Sequence, residues 1–280
     1  MKKIRELLNI YREKLRPVYQ NQKEIEAVFF ILLKHFHNIS RLESALNPEK
    51  KVEEKNLLQA LTKLEKHTPW QYITGQTDFY DIRLKVNRNV LIPRPETEEL
   101  VDWIINENKR TGNLKILDIG TGSGAIALSL AKNLTEAKVY ALDISEPALE
   151  IARENAKNLN VKLYFIKADV LKMNELPHKF DIIVSNPPYV LEKEKKYIKK
   201  NVLDYEPSSA IFVPDQNPLI FYEKIMELFM HGSKMGGKLY FEINENLKPD
   251  LEQKLKEKNL KKYQFKKDIF GKWRMLKICN

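Results

Sequence analysis

Cysteine is almost missing from this 280-residue chain: Cys279 is the only one. No disulfide can form within the chain, which excludes a stapled secreted framework and fits a reducing cytoplasm. Histidine is scarce as well, with five in all. None clusters with the lone thiol in metal-ligand spacing, so no metal site is expected. Long apolar runs are also lacking. The longest, Ala27 to Leu33, has seven residues, whereas a membrane-spanning helix needs about 20. The opening stretch MKKIRELLNIYREKLRP mixes acids with bases and contains no apolar core, so it reads as an amphipathic helix and not as a signal peptide. Arginine contributes only ten of the 48 basic residues, so the net charge of +10 is mostly lysine. A lysine-rich surface accounts for that charge, because specific phosphate contacts favour arginine. An anionic partner is the alternative reading.

The composition, 43% hydrophobic and 31% charged, suits a globular domain with a strongly charged surface. No repeat or low-complexity tract interrupts it. Residues 1–68 carry three apolar stripes at spacings of three and four: Ile4, Leu7, Leu8 and Tyr11; Ile25, Val28, Phe29 and Leu32; Leu57, Leu58, Leu61 and Leu64. These predict a small helical bundle. Residues 69–92 are rich in β-branched and aromatic side chains and alternate Ile82, Leu84, Val86, which predicts a β linker of one or two strands. Residues 93–280 then begin with a helix near Pro95. From Leu114 onward strands and helices alternate, and the chain closes on a strand pair. The expected architecture is α/β: a mostly parallel, Rossmann-like sheet covered on both faces, preceded by the helical bundle.

With only nine glycines in the chain, three within five residues stand out. Gly120, Gly122 and Gly124 directly follow the first predicted strand of the sheet, in ILDIGTGSGAIALSLA. Glycine there lets a ligand approach bare backbone at a helix N-terminus. The pattern is G-x-G-x-G and not the G-x-G-x-x-G of dinucleotide loops. Asp118 lies two residues before the first glycine, where it would repel a pyrophosphate and attract a cation. Asp143 ends the next strand, where a carboxylate can take ribose hydroxyls. A ligand with a ribose and a positive group meets both demands. S-adenosylmethionine is such a ligand, and the loop resembles motif I of the class I methyltransferases; a dinucleotide loop or a simple turn are the alternatives.

A second feature follows the fourth predicted strand of that sheet: Asn186-Pro187-Pro188-Tyr189. Two prolines make a stiff loop whose carbonyls cannot turn into a sheet ladder. The Asn186 side-chain carbonyl and the Pro187 backbone carbonyl offer two acceptors, suited to one planar NH₂ group. Holding both of its N–H groups aims the nitrogen lone pair, and such positioning can supply up to about 7–11 kcal/mol of a barrier. Tyr189 can stack on the flat group. No acid or base is needed among these four residues.

N-P-P-aromatic motifs of this kind resemble those of amino-methyltransferases acting on adenine N6, guanine N2 or glutamine N5. The stretches TPWQYITGQTDFYDIRLKVNRNVLIPRPETEELV, VSNPPYV, YEPSSAIF, FYEKI and KDIFGKWRMLKI together resemble the release factor glutamine methyltransferases over residues 60–280. A related group acting on a ribosomal protein reads P-R-S-P where this chain has Pro93-Arg94-Pro95-Glu96. The resemblance implies methyl transfer from S-adenosylmethionine, leaving S-adenosylhomocysteine. The acceptor would be the glutamine of the Gly-Gly-Gln motif in peptide chain release factors 1 and 2. It implies that Gly120, Thr121, Gly122, Ser123 and Gly124 hold the methionine end, with Asp118 beside them. Asp143 would take the ribose, and Asp169 and Val170 the adenine. Asn186, Pro187, Pro188 and Tyr189 would hold the substrate amide, with Asn186 also beside the cofactor, and the N-terminal helices would grip the release factor. A cytoplasmic monomer with no stable nucleic-acid partner and no membrane attachment is expected. The chain departs from the family at Val170, where tryptophan is common, at Phe212-Val213-Pro214-Asp215, which replaces a glycine pair, and at Asn244. Arg94 and Glu96 are left between a role at the pocket and a role in starting a helix. The rival classes are a nucleic-acid amino-methyltransferase, a glutamine methyltransferase of a ribosomal protein, and an idle RNA-binding module.

Overall fold

A computed structural model describes all 280 residues. The chain divides into two compact units, Met1–Gln76 with Lys199–Tyr205, and Thr77–Ile198 with Glu206–Asn280.

The first unit is a helical bundle. Helices Ile4–Leu15, Gln22–His37 and Lys55–Glu65 turn their apolar stripes onto one core. Leu7, Tyr11, Phe29, Leu32, Leu57 and Leu64 are fully buried there. Caps define the helices: the Asn21 side chain accepts from the Lys23 N–H, and Asn38 ends the same helix in a left-handed conformation at φ 55°. Tyr11 meets Phe29 edge-on at 5.0 Å and donates its hydroxyl to the Leu57 carbonyl at 2.6 Å. Two details differ from the expected pattern. Lys2–Lys3 pairs antiparallel with Lys51–Val52, a bridge too short to show any alternation. Trp70–Thr74, expected as strand, is a short helix stopped by Gly75 at φ 71°. Its Trp70 and Ile73 pack on the helical core, and that packing outweighs their β propensity.

The second unit opens at Thr77, within a hairpin whose strands span Gln76–Phe79 and Ile82–Lys85, and continues into helix Pro95–Asn108. Its centre is a seven-stranded sheet: β1 Lys115–Ile119, β2 Lys138–Asp143, β3 Tyr164–Lys167, β4 Phe180–Ser185, β5 Ser233–Glu242, β6 Tyr263–Lys267 and β7 Trp273–Cys279. The order is β6-β7-β5-β4-β1-β2-β3. β1 to β5 are mutually parallel, and only β7 and β6 run antiparallel to their neighbours. Two apolar layers cover the sheet. Ile116, Val139, Ile182 and Tyr240 face one layer, and Leu117, Ile119, Ile183 and Phe241 face the other. The sheet strands are apolar on both sides because both sides are covered.

This topology positions the site. From β1 the chain winds outward through β2 to β3, then returns to β4 on the opposite side of β1. The carboxyl ends of β1 and β4 therefore flank the crevice where open α/β sheets bind ligands. Ile119 is in register with Ser185, and the Ser185 hydroxyl donates to the Ile119 carbonyl at 2.7 Å. The next residue on each strand is the first of a loop: Gly120 on one and Asn186 on the other.

Candidate functional site

Register alone gathers most of the residues singled out above at one edge of the sheet. Ile119 pairs with Leu142, so Gly120 leaves β1 beside Asp143 at the end of β2. Phe241 pairs with Ser185, so Glu242 ends β5 beside Asn186.

The glycine loop is built on left-handed backbone. Gly120, Gly122 and Gly124 have φ of 77°, 55° and 83°. Side chains rarely adopt such angles, so glycine is required there. A Cβ at Gly120 or Gly122 would meet nothing within 4 Å; at Gly124 it would lie 3.0 Å from Leu128 Cδ1. The first two glycines thus leave open space for a ligand, and the third lets the following helix pack closely. The Gly120 and Thr121 N–H groups both donate to the Leu142 carbonyl, at 2.8 and 3.0 Å. Asn155, which sequence reasoning did not single out, donates to the Ser123 carbonyl at 2.9 Å and also pairs with the Lys85 backbone. One buried amide thereby ties the loop to the hairpin.

Asp118 lies beneath this loop, fully buried. Its Oδ2 accepts from the Thr121 hydroxyl at 2.7 Å and from the Ala127 N–H at 3.2 Å, while Oδ1 has no partner. Burial pushes its pKa up to about 7; the two hydrogen bonds oppose the shift and the Asp143 charge adds to it. A buried carboxylate oxygen without a partner suits an approaching donor or cation. Asp143 is better satisfied: its Oδ2 accepts from the Gly122 N–H and its Oδ1 from the Ser145 N–H, both at 2.9 Å. Burial still raises its pKa, against those bonds. Its second lone pairs remain for hydroxyl donors.

Asp169 is not drawn into this group by side-chain bonds. Its Oδ1 accepts from the Leu171 N–H at 3.0 Å, capping the short turn Val170–Lys172, and its Oδ2 is 3.6 Å from Lys172 Nζ. It sits two residues past Lys167, the partner of Asp143 across β2 and β3. Val170 is buried against the second apolar layer.

The Asn-Pro-Pro-Tyr loop follows β4 directly, and two of its side chains are held by hydrogen bonds. Asn186 Nδ2 donates to Thr97 Oγ1 at 3.1 Å. The Thr97 hydroxyl donates to Glu242 Oε2 at 2.6 Å, and the Tyr189 hydroxyl donates to Glu242 Oε1 at 3.2 Å. Glu242 is buried, and that burial raises its pKa; Thr97, Arg274 and Tyr189 oppose the rise and the nearby Glu96 adds to it. Tyr189 is pushed well above the usual phenol range by burial and by the Glu242 charge, so it stays a donor. The Pro187 carbonyl accepts no hydrogen bond from within the chain. Beyond Tyr189, Val190–Leu191 pairs with Phe212–Val213, which places the divergent Phe212-Val213-Pro214-Asp215 run as a ledge along the loop.

Arg94 and a residue missed from sequence, Glu206, meet at 2.6 Å. Glu206 also accepts from the Ile92 N–H at 3.1 Å, so this pair braces the entry to helix Pro95–Asn108, which carries Thr97. Thr97, Glu206 and Glu242 lie far apart in sequence from the motifs they serve, and no local spacing marks them.

Comparison with known proteins agrees with this architecture. Residues 110–273 match the family model described as a methyltransferase domain, and residues 6–75 match that of the PrmC N-terminal domain. The chain is 50% identical over 264 residues to the release factor glutamine methyltransferase of Flavobacterium psychrophilum, covering 92% of this chain and 93% of that one. It is 42% identical over 269 residues to the enzyme of the same name from Bacteroides thetaiotaomicron, covering 95% and 96%. Among solved structures, a methyltransferase from Pyrococcus furiosus superposes with a TM-score of 0.51 at 23% identity, covering 70% of this chain and 87% of that one. The 16S rRNA N2 G1207 methyltransferase of Thermus thermophilus, solved with AdoMet and guanosine, gives 0.51 at 16% identity, covering 73% and 49%. At those identities the two structures speak for the fold alone.

Proposed function

The chain belongs to the release factor glutamine methyltransferase family, and from that premise we propose how its site methylates a release factor glutamine. The substrate is the side-chain amide of the glutamine in the Gly-Gly-Gln motif of peptide chain release factors 1 and 2. S-adenosylmethionine supplies a methyl group on a cationic sulfur.

The donor set fits that cofactor. The bare Oδ1 of Asp118 faces a need for a cation or N–H donor. The open backbone of Gly120 and Gly122, with Thr121 and Ser123 between and after them, suits the methionine end. Asp143 has lone pairs for the ribose hydroxyls, and Asp169 with Val170 stands farther along the same sheet edge for the adenine. Asn186 Oδ1 and the Pro187 carbonyl accept the two amide N–H groups, Pro188 stiffens the loop, and Tyr189 walls the planar group. An amide nitrogen is a weak nucleophile because its lone pair is delocalised; two acceptors fix it and enrich the nitrogen. The observation that carries this reading is the register that puts Gly120 and Asn186 on adjacent strand ends.

The helical unit grips the release factor away from the reacting glutamine, a reading supported by its match to the PrmC N-terminal domain. It contains a groove of about 510 Å³ walled by Tyr19, Val28, Ile31 and Trp70, with Lys199 and Lys200 on its rim. The protein acts as a cytoplasmic monomer without a stable nucleic-acid partner.

The test uses methyl-labelled S-adenosylmethionine with purified release factor, with a factor whose motif glutamine is changed to alanine, and with ribosomal RNA and DNA. Label on the native factor alone is expected. Label on nucleic acid, or equal label on the alanine factor, would overturn the reading.

A further inference from the structure

An asparagine amide has two ends that differ in chemistry and hardly in shape. If Asn186 is to accept from the substrate, its oxygen must face the substrate and its NH₂ must face elsewhere. Something must choose between the two orientations. We infer that Thr97 and Glu242 make that choice, as positioning residues that set the polarity of Asn186.

Glu242 is buried at the end of β5, and both of its carboxyl oxygens face hydroxyl donors. Its two oxygens each accept one hydroxyl, Thr97 on Oε2 at 2.6 Å and Tyr189 on Oε1 at 3.2 Å. A hydroxyl has one proton, and that of Thr97 is committed to Glu242. Thr97 Oγ1 can then only accept from its other neighbour. That neighbour is Asn186, 3.1 Å away, which must turn Nδ2 toward Thr97. The planar amide thereby turns Oδ1 to the opposite side. The same carboxyl group accepts the Tyr189 hydroxyl, so one buried side chain sets both the amide and the aromatic wall. Glu242 is itself fixed, since its backbone carbonyl accepts from the Tyr222 hydroxyl at 3.1 Å. The three participants come from three elements: helix Pro95–Asn108, the loop after β4, and the end of β5.

This inference rests on the reading of Asn186 as the substrate's acceptor, and its test separates the two. Single-turnover rates on release factor are measured for the wild type, Thr97→Ser, Thr97→Val and Glu242→Gln, with S-adenosylmethionine affinity measured by calorimetry for each. Thr97→Val keeps the β-branched shape and loses the hydroxyl. Its rate is expected to fall at least tenfold, while cofactor affinity and the KM for release factor change less than about twofold, the pattern of an interaction made in the transition state. Thr97→Ser, which keeps the hydroxyl, is expected to restore the rate to within about threefold of wild type. Glu242→Gln can offer Thr97 a donor and so reverse the chain, and its rate is expected to fall at least as far as that of Thr97→Val. The inference is overturned if Thr97→Val keeps the wild-type rate, if Thr97→Ser is as slow as Thr97→Val, or if the valine variant loses cofactor binding along with rate. A wild-type protein that leaves the glutamine unmodified overturns the functional reading itself.

Discussion

Asp118 carries a stability cost that its replacement by asparagine should relieve. It is fully buried, two hydrogen bonds reach Oδ2, and none reaches Oδ1. Burial lifts its pKa from 3.8 to about 7, a rise of about three units, worth about 4 kcal/mol against the charged form. The sign follows from the direction of the shift. Above pH 3.8 the unfolded chain has released this proton, while the folded protein keeps it to about pH 7. Folding therefore takes up a proton in that window, and stability falls as pH rises through it, by about 1.4 kcal/mol per unit. Asp118→Asn removes the titration. It places an N–H where Oδ1 was, and that unpartnered donor costs about 1–3 kcal/mol. The balance is a variant more stable than wild type by about 1–3 kcal/mol at pH 8. The gain shrinks toward pH 5, where the wild-type carboxyl is already protonated. Urea unfolding of both proteins without cofactor at pH 5, 6, 7 and 8 reads this difference directly. A difference that is the same at pH 5 and pH 8 would refute the reasoning. The same variant should bind S-adenosylmethionine about 10- to 100-fold more weakly at pH 8, since a hydrogen bond to a charged group contributes about 1.5–3 kcal/mol.

Two further outcomes follow from the same geometry. Gly124→Ala puts a Cβ on backbone at φ 83°, 3.0 Å from Leu128 Cδ1 and 3.3 Å from Ala152 Cβ; strain and crowding together should cost about 2–4 kcal/mol. Gly236→Ala, at φ 76° with open space around it, should cost only the strain, about 1–2 kcal/mol, and thermal unfolding of the two variants compares them. Arg94→Ala removes the partner of the buried Glu206 carboxylate and should cost about 1.5–3 kcal/mol, with Arg94→Lys recovering part of the loss in the same assay.

The parts of the structure legible in the sequence share a local signal. The three apolar stripes of residues 1–68 fall at helical spacing and bury the residues they mark, apart from Leu8 and Leu58, which are half-buried. The glycines are legible because few residues other than glycine tolerate the backbone angles of that loop. The end of β4 before Asn186 is legible because the Pro187-Pro188 pair cannot continue a strand. What was not legible is long-range. Thr97 and Glu242 are 145 residues apart and meet only because helix Pro95–Asn108 packs against β5. Glu206 reaches Ile92 and Arg94 across more than a hundred residues. Trp70–Thr74 shows the opposite failure, in which a β-rich composition was overridden by packing on helices, although Pro69 before it and Gly75 after it are ordinary helix boundaries. The start of β5 was hidden too: the strand begins at Ser233, and the Met-Gly-Gly stretch that interrupts its pairing with β4 before Lys238 disguises it as a turn.

In the proposed mechanism Asn186 acts by positioning the substrate amide and not by holding the cofactor. Asn186→Ala removes one of the two acceptors and leaves the glycine loop, Asp118 and Asp143 untouched. The decisive measurement pairs the single-turnover rate of glutamine methylation with S-adenosylmethionine affinity in this variant. The expected rate is lower by about 10²–10³, the loss typical when one preorganised hydrogen-bonding group is removed from a reacting centre, with cofactor affinity changed less than about twofold. A rate within about threefold of wild type, or a rate loss matched by an equal loss of cofactor affinity, would contradict it.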